Sequence, residues 1–143
     1  MKRALIKAFP DTVMVFDKSI EGGCSKRRPD VFMDLLTHVV IVECDENQHK
    51  SYIPECENRR KMELFQDVGS RPVVFVRFNP DGYKGGNGGC FRKELDKTGE
   101  NVLVVLPEWK VRVIELVSVV GVHMGVIPDR EVTEICLFFD LLK

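Results

Sequence analysis

Residues 38–45 read HVVIVECD, four consecutive branched aliphatic residues that run straight into Glu43 and Asp45. A half-buried strand alternates apolar and polar residues; one with no alternation is covered on both faces. The chain must therefore place this strand inside a sheet and build a layer on each side of it. A buried strand that ends in ECDENQH (43–49) also needs an account of its last residues, because unpaired carboxylates are costly to desolvate. The burst either opens a solvated loop or forms a site.

The flanking sequence supplies the rest of the layer. TVMVF (12–16) reads as a first strand. DVFMDL (30–35), separated from HVVIVECD by two residues, predicts a hairpin. ECENRRKMELFQDV (55–68) places Met62, Leu64, Phe65 and Val68 at helical spacing, with Gly69 at the C-terminal cap position. RPVVFVRF (71–78) is another buried strand, and a helix between two neighbouring strands implies a parallel βαβ crossover. YKGGNGGCFRKELDKTGE (83–100) predicts a glycine-rich surface loop, and NVLVVL (101–106) a further strand or strand-like segment. Pro107 starts a helix to about 122 with Trp109, Val113, Leu116, Val117 and Val120 inward, and EVTEICLFFDLL closes the chain as a strand or short helix. The fold class is α/β (α+β), one domain over 1–143, with a mixed sheet centred on 38–45 and 72–78.

A net charge of −1 excludes a uniformly basic coat, so any nucleic-acid surface must be local. No apolar stretch approaches the roughly 20 residues of a membrane span, which argues against membrane partners. The five cysteines (Cys24, Cys44, Cys56, Cys90, Cys136) are odd in number and scattered, without a C-x-x-C pair, which points to a reducing, intracellular compartment.

Asp30 starts one hairpin strand, and Glu43 and Asp45 end its antiparallel partner, so all three reach one end of the sheet, with Cys44 on the opposite face. Like charges that close repel unless a cation lies between them. Oxygen ligands of this kind favour Mg²⁺, with Mn²⁺ as a substitute, and suit phosphodiester hydrolysis. His49 and Gln48, just beyond the strand, are placed to handle the water or contact the phosphate. Lys26, Arg27 and Arg28 before Asp30, and Arg59 and Arg60 on the helix, are candidate contacts to a nucleic-acid backbone. Arg77 is expected to partner a carboxylate.

These residues carry a resemblance. RPD (28–30), an apolar strand, ECDENQH (43–49), ENRR (57–60), Gly69 and PVVFVRF (72–78) come in an order that resembles the PD-(D/E)XK nucleases. The nearer match is the branch with the very short patch repair endonucleases, whose E-x-D-G-x-Q-H signature is similar to 43–49. The resemblance covers about 12–81 and implies a restriction-endonuclease-like fold and a metal-dependent DNA endonuclease or nickase. Asp30, Glu43 and Asp45 would then be metal ligands, and Gln48 and His49 catalytic partners. The chain departs from the family pattern at Asp45, where lysine is usual, and at Glu46, where the branch has glycine; the repair enzymes' aromatic wedges have no clear counterpart. The missing lysine keeps a second possibility open: a catalytically inactive relative that binds nucleic acid or a protein. A zinc-stabilised domain using Cys24, Cys56, Cys90 and His49 is disfavoured, because structural zinc ligands usually come in close pairs.

Overall fold

The computed structural model describes residues 1–140; Leu141–Lys143, the end of the expected C-terminal segment, lie outside the described residues. The chain runs α1 (Lys2–Ala8), β1 (Val15–Phe16), β2 (Val31–Asp34), β3 (Val39–Cys44), a short turn of helix (Glu46–His49), α2 (Pro54–Asp67), β4 (Val73–Phe78), β5 (Phe91–Leu95), β6 (Asn101–Val105), α3 (Pro107–Gly125) and β7 (Val132–Leu137). It is an α+β fold. Five strands form a mixed sheet in the order β1-β2-β3-β4-β7, and β5 and β6 form a separate two-stranded sheet.

The apolar runs take the central places. β3 lies antiparallel to β2 and parallel to β4, and β4 lies parallel to β7. Val39, Ile41, Val73 and Phe75 pack beneath α2 through Leu64, Phe65 and Val68. Val40, Val42, Val74, Val76 and Phe78 face the other way, against Leu5 of α1 and Leu116 and Val120 of α3. Both faces of β3 and β4 are thus covered, and each buried aliphatic side chain contributes about 1.5–3 kcal/mol of transfer free energy. α2 ends as its sequence predicts: Gly69 takes a φ of 71°, which a side chain would resist, and donates its N–H to the Gln66 carbonyl at 3.0 Å.

Four expectations are corrected. The first strand is confined to Val15–Phe16, and Met62 lies on the outer side of α2, 48 % exposed. The segment 83–100 is not all loop, because Phe91–Leu95 pairs antiparallel with Asn101–Val105 around a turn at Asp96–Glu100. That pairing also takes 101–105 away from the main sheet. α1 was not anticipated; at seven residues with one buried side chain, Leu5, it is too short to show a period. The closing run resolves as a strand, extending the parallel half of the sheet. Among the described residues no helix is long and apolar enough to cross a membrane.

Candidate functional site

β2 begins and β3 ends at the same edge, where the Glu46–His49 turn and the first turns of α2 close over them. They enclose a cleft of about 790 Å³ whose wall includes Asp30, Glu43, His49, Glu57, Arg27 and Arg60.

The hairpin register, Val31 opposite Val42, puts Asp30 opposite Glu43 one step further out. Each carboxylate takes an N–H from the other strand. Cys44 donates to Asp30 Oδ2 at 2.7 Å, and Asp30 donates to Glu43 Oε2 at 3.3 Å. Arg60 on α2 donates to Glu43 Oε1 at 2.8 Å and to the Arg28 carbonyl at 3.1 Å. Burial pushes the Glu43 carboxyl above the usual range; Arg60 opposes this and the charge of Asp30 adds to it. Burial and the Asp30 carboxylate likewise push the Cys44 thiol up to about 12, so Cys44 is no nucleophile at neutral pH.

Asp45 belongs to a second cluster. It is 1 % exposed, does not line the cleft, and accepts a hydrogen bond from Arg77 Nε on Oδ2. Burial pushes its carboxyl up, with Arg77 opposing. The same guanidinium donates to Glu57 Oε2 at 2.7 Å, while its third nitrogen lies 3.6 Å from Glu134. The remaining oxygens of Asp45 and Glu57 lie 3.4 and 3.5 Å from Nδ1 of His49, whose ring stacks on Tyr52 at 4.1 Å. His49 is carried there by a left-handed turn, with φ of 50°, 56° and 50° at Asn47, Gln48 and His49. Such conformations cost about 1–2 kcal/mol per residue for L side chains. The turn is tied down by Asn47 N–H on Asp81 Oδ2, 2.7 Å.

The expected metal trio is therefore divided. Asp30 and Glu43 are brought together, but Asp45 is drawn away by Arg77, and the cation paired with Glu43 is Arg60. The group of ligating side chains that converges among the described residues is Asp45, His49 and Glu57. Gln48 is also corrected: its Oε1 accepts the Asp140 N–H at 2.7 Å, and it lines a neighbouring pocket rather than the cleft. The zinc set of Cys24, Cys56, Cys90 and His49 is not gathered, since its ligand atoms form no such convergent group. Glu57 is the residue the sequence missed. Its signal was helical spacing, because 57, 60, 64 and 68 share the face that carries the apolar stripe.

The cations divide as well. Arg27 and Arg60 line the cleft. Arg27 and Arg59 share Glu63, at 2.7 and 3.1 Å, and Arg28 donates to the Asp17 carbonyl at 2.6 Å. Lys26 is exposed in the same loop. The start of α2 is no anion site, because Glu55 and Glu57 occupy its first turn.

The two carboxylates in the cleft fit a hard divalent cation. Mg²⁺ commonly takes one or two protein carboxylates and keeps waters, and among the described residues Asp30 Oδ1 has no hydrogen-bond partner. No family model, no curated protein and no solved structure matches the chain.

Proposed function

We propose that the protein is a Mg²⁺-dependent nuclease that hydrolyses DNA phosphodiester bonds, with Asp30 and Glu43 as the acidic pair. The observation that carries this reading is the opposition of Asp30 and Glu43 across the hairpin, at a cleft that also holds Arg27, Arg60 and His49. Directly opposed like charges destabilise a hairpin, so a cation-binding role explains a placement that folding disfavours.

Asp30 and Glu43 would hold Mg²⁺, or Mn²⁺ in its place, and the ion would supply positive charge and an acidified water at the scissile phosphate. Arg27 and Arg60 bind the flanking phosphates. Arg60 does so from the helix, in place of a cation at position 45. His49 presents its ring to the cleft, and an N–H at Nε2 donates to a phosphate oxygen. Tyr52, stacked on the ring at 4.1 Å, holds it in that orientation. Gln48 takes no part in this step.

The experiment is plasmid nicking by the purified chain in Mg²⁺ or Mn²⁺. The wild type should nick and EDTA should stop it, while Asp30→Asn and Glu43→Gln should lose the activity with an unchanged circular dichroism spectrum. Activity that survives in either variant would remove the assignment. A second reading, a catalytically inactive nucleic-acid-binding module, is favoured by the Arg60–Glu43 ion pair, which already neutralises one of the two acids. DNA binding in a gel shift without cleavage in either metal would decide for it.

A further inference from the structure

We infer that Asp45, His49 and Glu57 form a second metal site, for a tetrahedral divalent ion of the Zn²⁺ type. This inference does not rest on the nuclease reading, since none of it depends on Asp30, Glu43 or DNA.

The spacing is the first argument. His49 Nδ1 lies 3.4 Å from Asp45 Oδ1 and 3.5 Å from Glu57 Oε1. Good N–H···O bonds are shorter, about 2.7–3.2 Å. Ligand atoms held about 2.1 Å from a tetrahedral Zn²⁺ stand roughly 3.4 Å apart. A protonated imidazole bridging the two acids would close on one oxygen. Here the nitrogen stands off both by the edge of a coordination tetrahedron.

The second argument is an orphaned atom. His49 Nδ1 is shut off from water and makes no hydrogen bond to either carboxylate or to any other group among the described residues. A nitrogen so placed between two anionic oxygens calls for a cation, and separations of 3.4 and 3.5 Å fit a metal ion better than a shared proton. One ligand atom from each of the three residues lies within 4.8 Å of the other two.

The third argument is the support behind the ligands. Arg77 binds the outer oxygens, Asp45 Oδ2 and Glu57 Oε2, and so leaves Oδ1 and Oε1 facing the imidazole. Outer partners of this kind fix ligating carboxylates in position. The donor set selects the ion: imidazole nitrogen disfavours Mg²⁺ and Ca²⁺, and the absence of thiolate disfavours soft monovalent ions. Three protein ligands leave a fourth position for a water or a small anionic ligand.

The test titrates the EDTA-stripped full chain with Zn²⁺ by equilibrium dialysis, and with Co²⁺ by visible absorption. About one equivalent of Zn²⁺ should bind, and Co²⁺ should give tetrahedral d–d bands without sulfur-to-metal charge transfer. His49→Gln and Glu57→Gln should each weaken Zn²⁺ binding by at least about tenfold, the scale on which even outer-shell losses register. Asp30→Asn should bind Zn²⁺ like the wild type, and excess Mg²⁺ should not displace it. The inference is overturned by a wild type that binds no Zn²⁺, by both glutamine variants binding at wild-type strength, or by displacement with Mg²⁺. Charge-transfer bands that persist in His49→Gln would overturn it too, by placing the ion on cysteine. Should His49→Gln fail to fold, Glu57→Gln and the wild-type stoichiometry still decide.

Discussion

Asp30 and Glu43 face one another across the β2–β3 hairpin, and each binds a backbone N–H of the other's strand, at 2.7 Å from Cys44 to Asp30 and 3.3 Å from Asp30 to Glu43. The acids are thus anchored by the strands that carry them, and they stay opposed whether or not anything lies between them. Burial raises the Glu43 carboxyl most, Arg60 opposes it, and the Asp30 charge adds a smaller upward push, which is the electrostatic strain within the pair.

That strain predicts a divergence between stability and activity. Asp30→Asn removes the repulsion while its amide oxygen can still accept the Cys44 N–H. Opposed charges cost a fraction of a kcal/mol to about 1 kcal/mol, so the variant should melt at the wild-type temperature or a few degrees above it. Differential scanning calorimetry checks this. A clear fall in Tm would show that Asp30 is kept for structure and not for a ligand.

If the cleft takes nucleic acid as proposed, the split among the cations predicts which of them touch its phosphates. Arg27 and Arg60 line the cleft, whereas the Arg59 side chain is 76 % exposed on the far side of Glu63. Replacing Arg27 with glutamine should lower the slope of log K against log salt by about 0.9, or about 0.7 for single strands, one phosphate contact's worth. Arg59→Gln should leave the slope unchanged. Equal effects from both would mean a diffuse positive field and no cleft-directed contact.

Much of this fold is legible in the sequence, and the point where legibility stops is physical. HVVIV demands a covered strand, and Leu64, Phe65 and Val68 supply the cover. Period-two alternation carries to Glu43 and no further, because the strand ends at Cys44. Beyond that point Asp45 is placed by Arg77, 32 positions away, and His49 by three left-handed residues that no propensity favours. A pattern rule cannot see either cause, so three carboxylates expected at one point become two clusters. Glu57 was hidden for a related reason: a charge in a first helical turn reads as a solvated cap until the turn is known to lie against a sheet edge.

The Asp34–Arg71 pair gives a prediction about acid. Two guanidinium hydrogen bonds, at 2.7 and 2.9 Å, hold the Asp34 carboxyl below its usual range. A carboxyl lowered in the folded state stabilises it above the unfolded value, and that contribution is lost as pH falls through the folded one. Asp34 is 40 % exposed, and pairs this open contribute at most about 1 kcal/mol. Asp34→Asn should therefore be slightly less stable than the wild type at neutral pH, and the two should converge below the ordinary aspartate range. Urea midpoints measured across that window test it, and a gap that stays constant into acid would assign the effect to packing.

Arg112 carries the last prediction. It is fully buried on α3, where burying a charge is costly unless every donor is met. Its donors are met by the carbonyls of Asn79 and Asp81 at 2.9 and 2.7 Å, by the Gly88 carbonyl and by Glu108 at 3.0 Å. Tyr83 and Phe138 lie against the guanidinium at 5.1 and 4.9 Å. One side chain thus ties the end of β4, the glycine-rich segment and α3 together. Arg112→Met keeps the volume but strands several carbonyls and a carboxylate, at a cost of about 3 kcal/mol. Tm should fall by roughly 6–12 °C. Lysine should rescue little, since one ammonium cannot span a fork of separate carbonyls. Hydrogen exchange should quicken first around 79–90, and the Asn47–His49 turn should follow, because Asp81 holds its Asn47 N–H. A methionine variant as stable as the wild type would show that the buried arginine is a passenger of the fold, with the glycine segment held by its own turns.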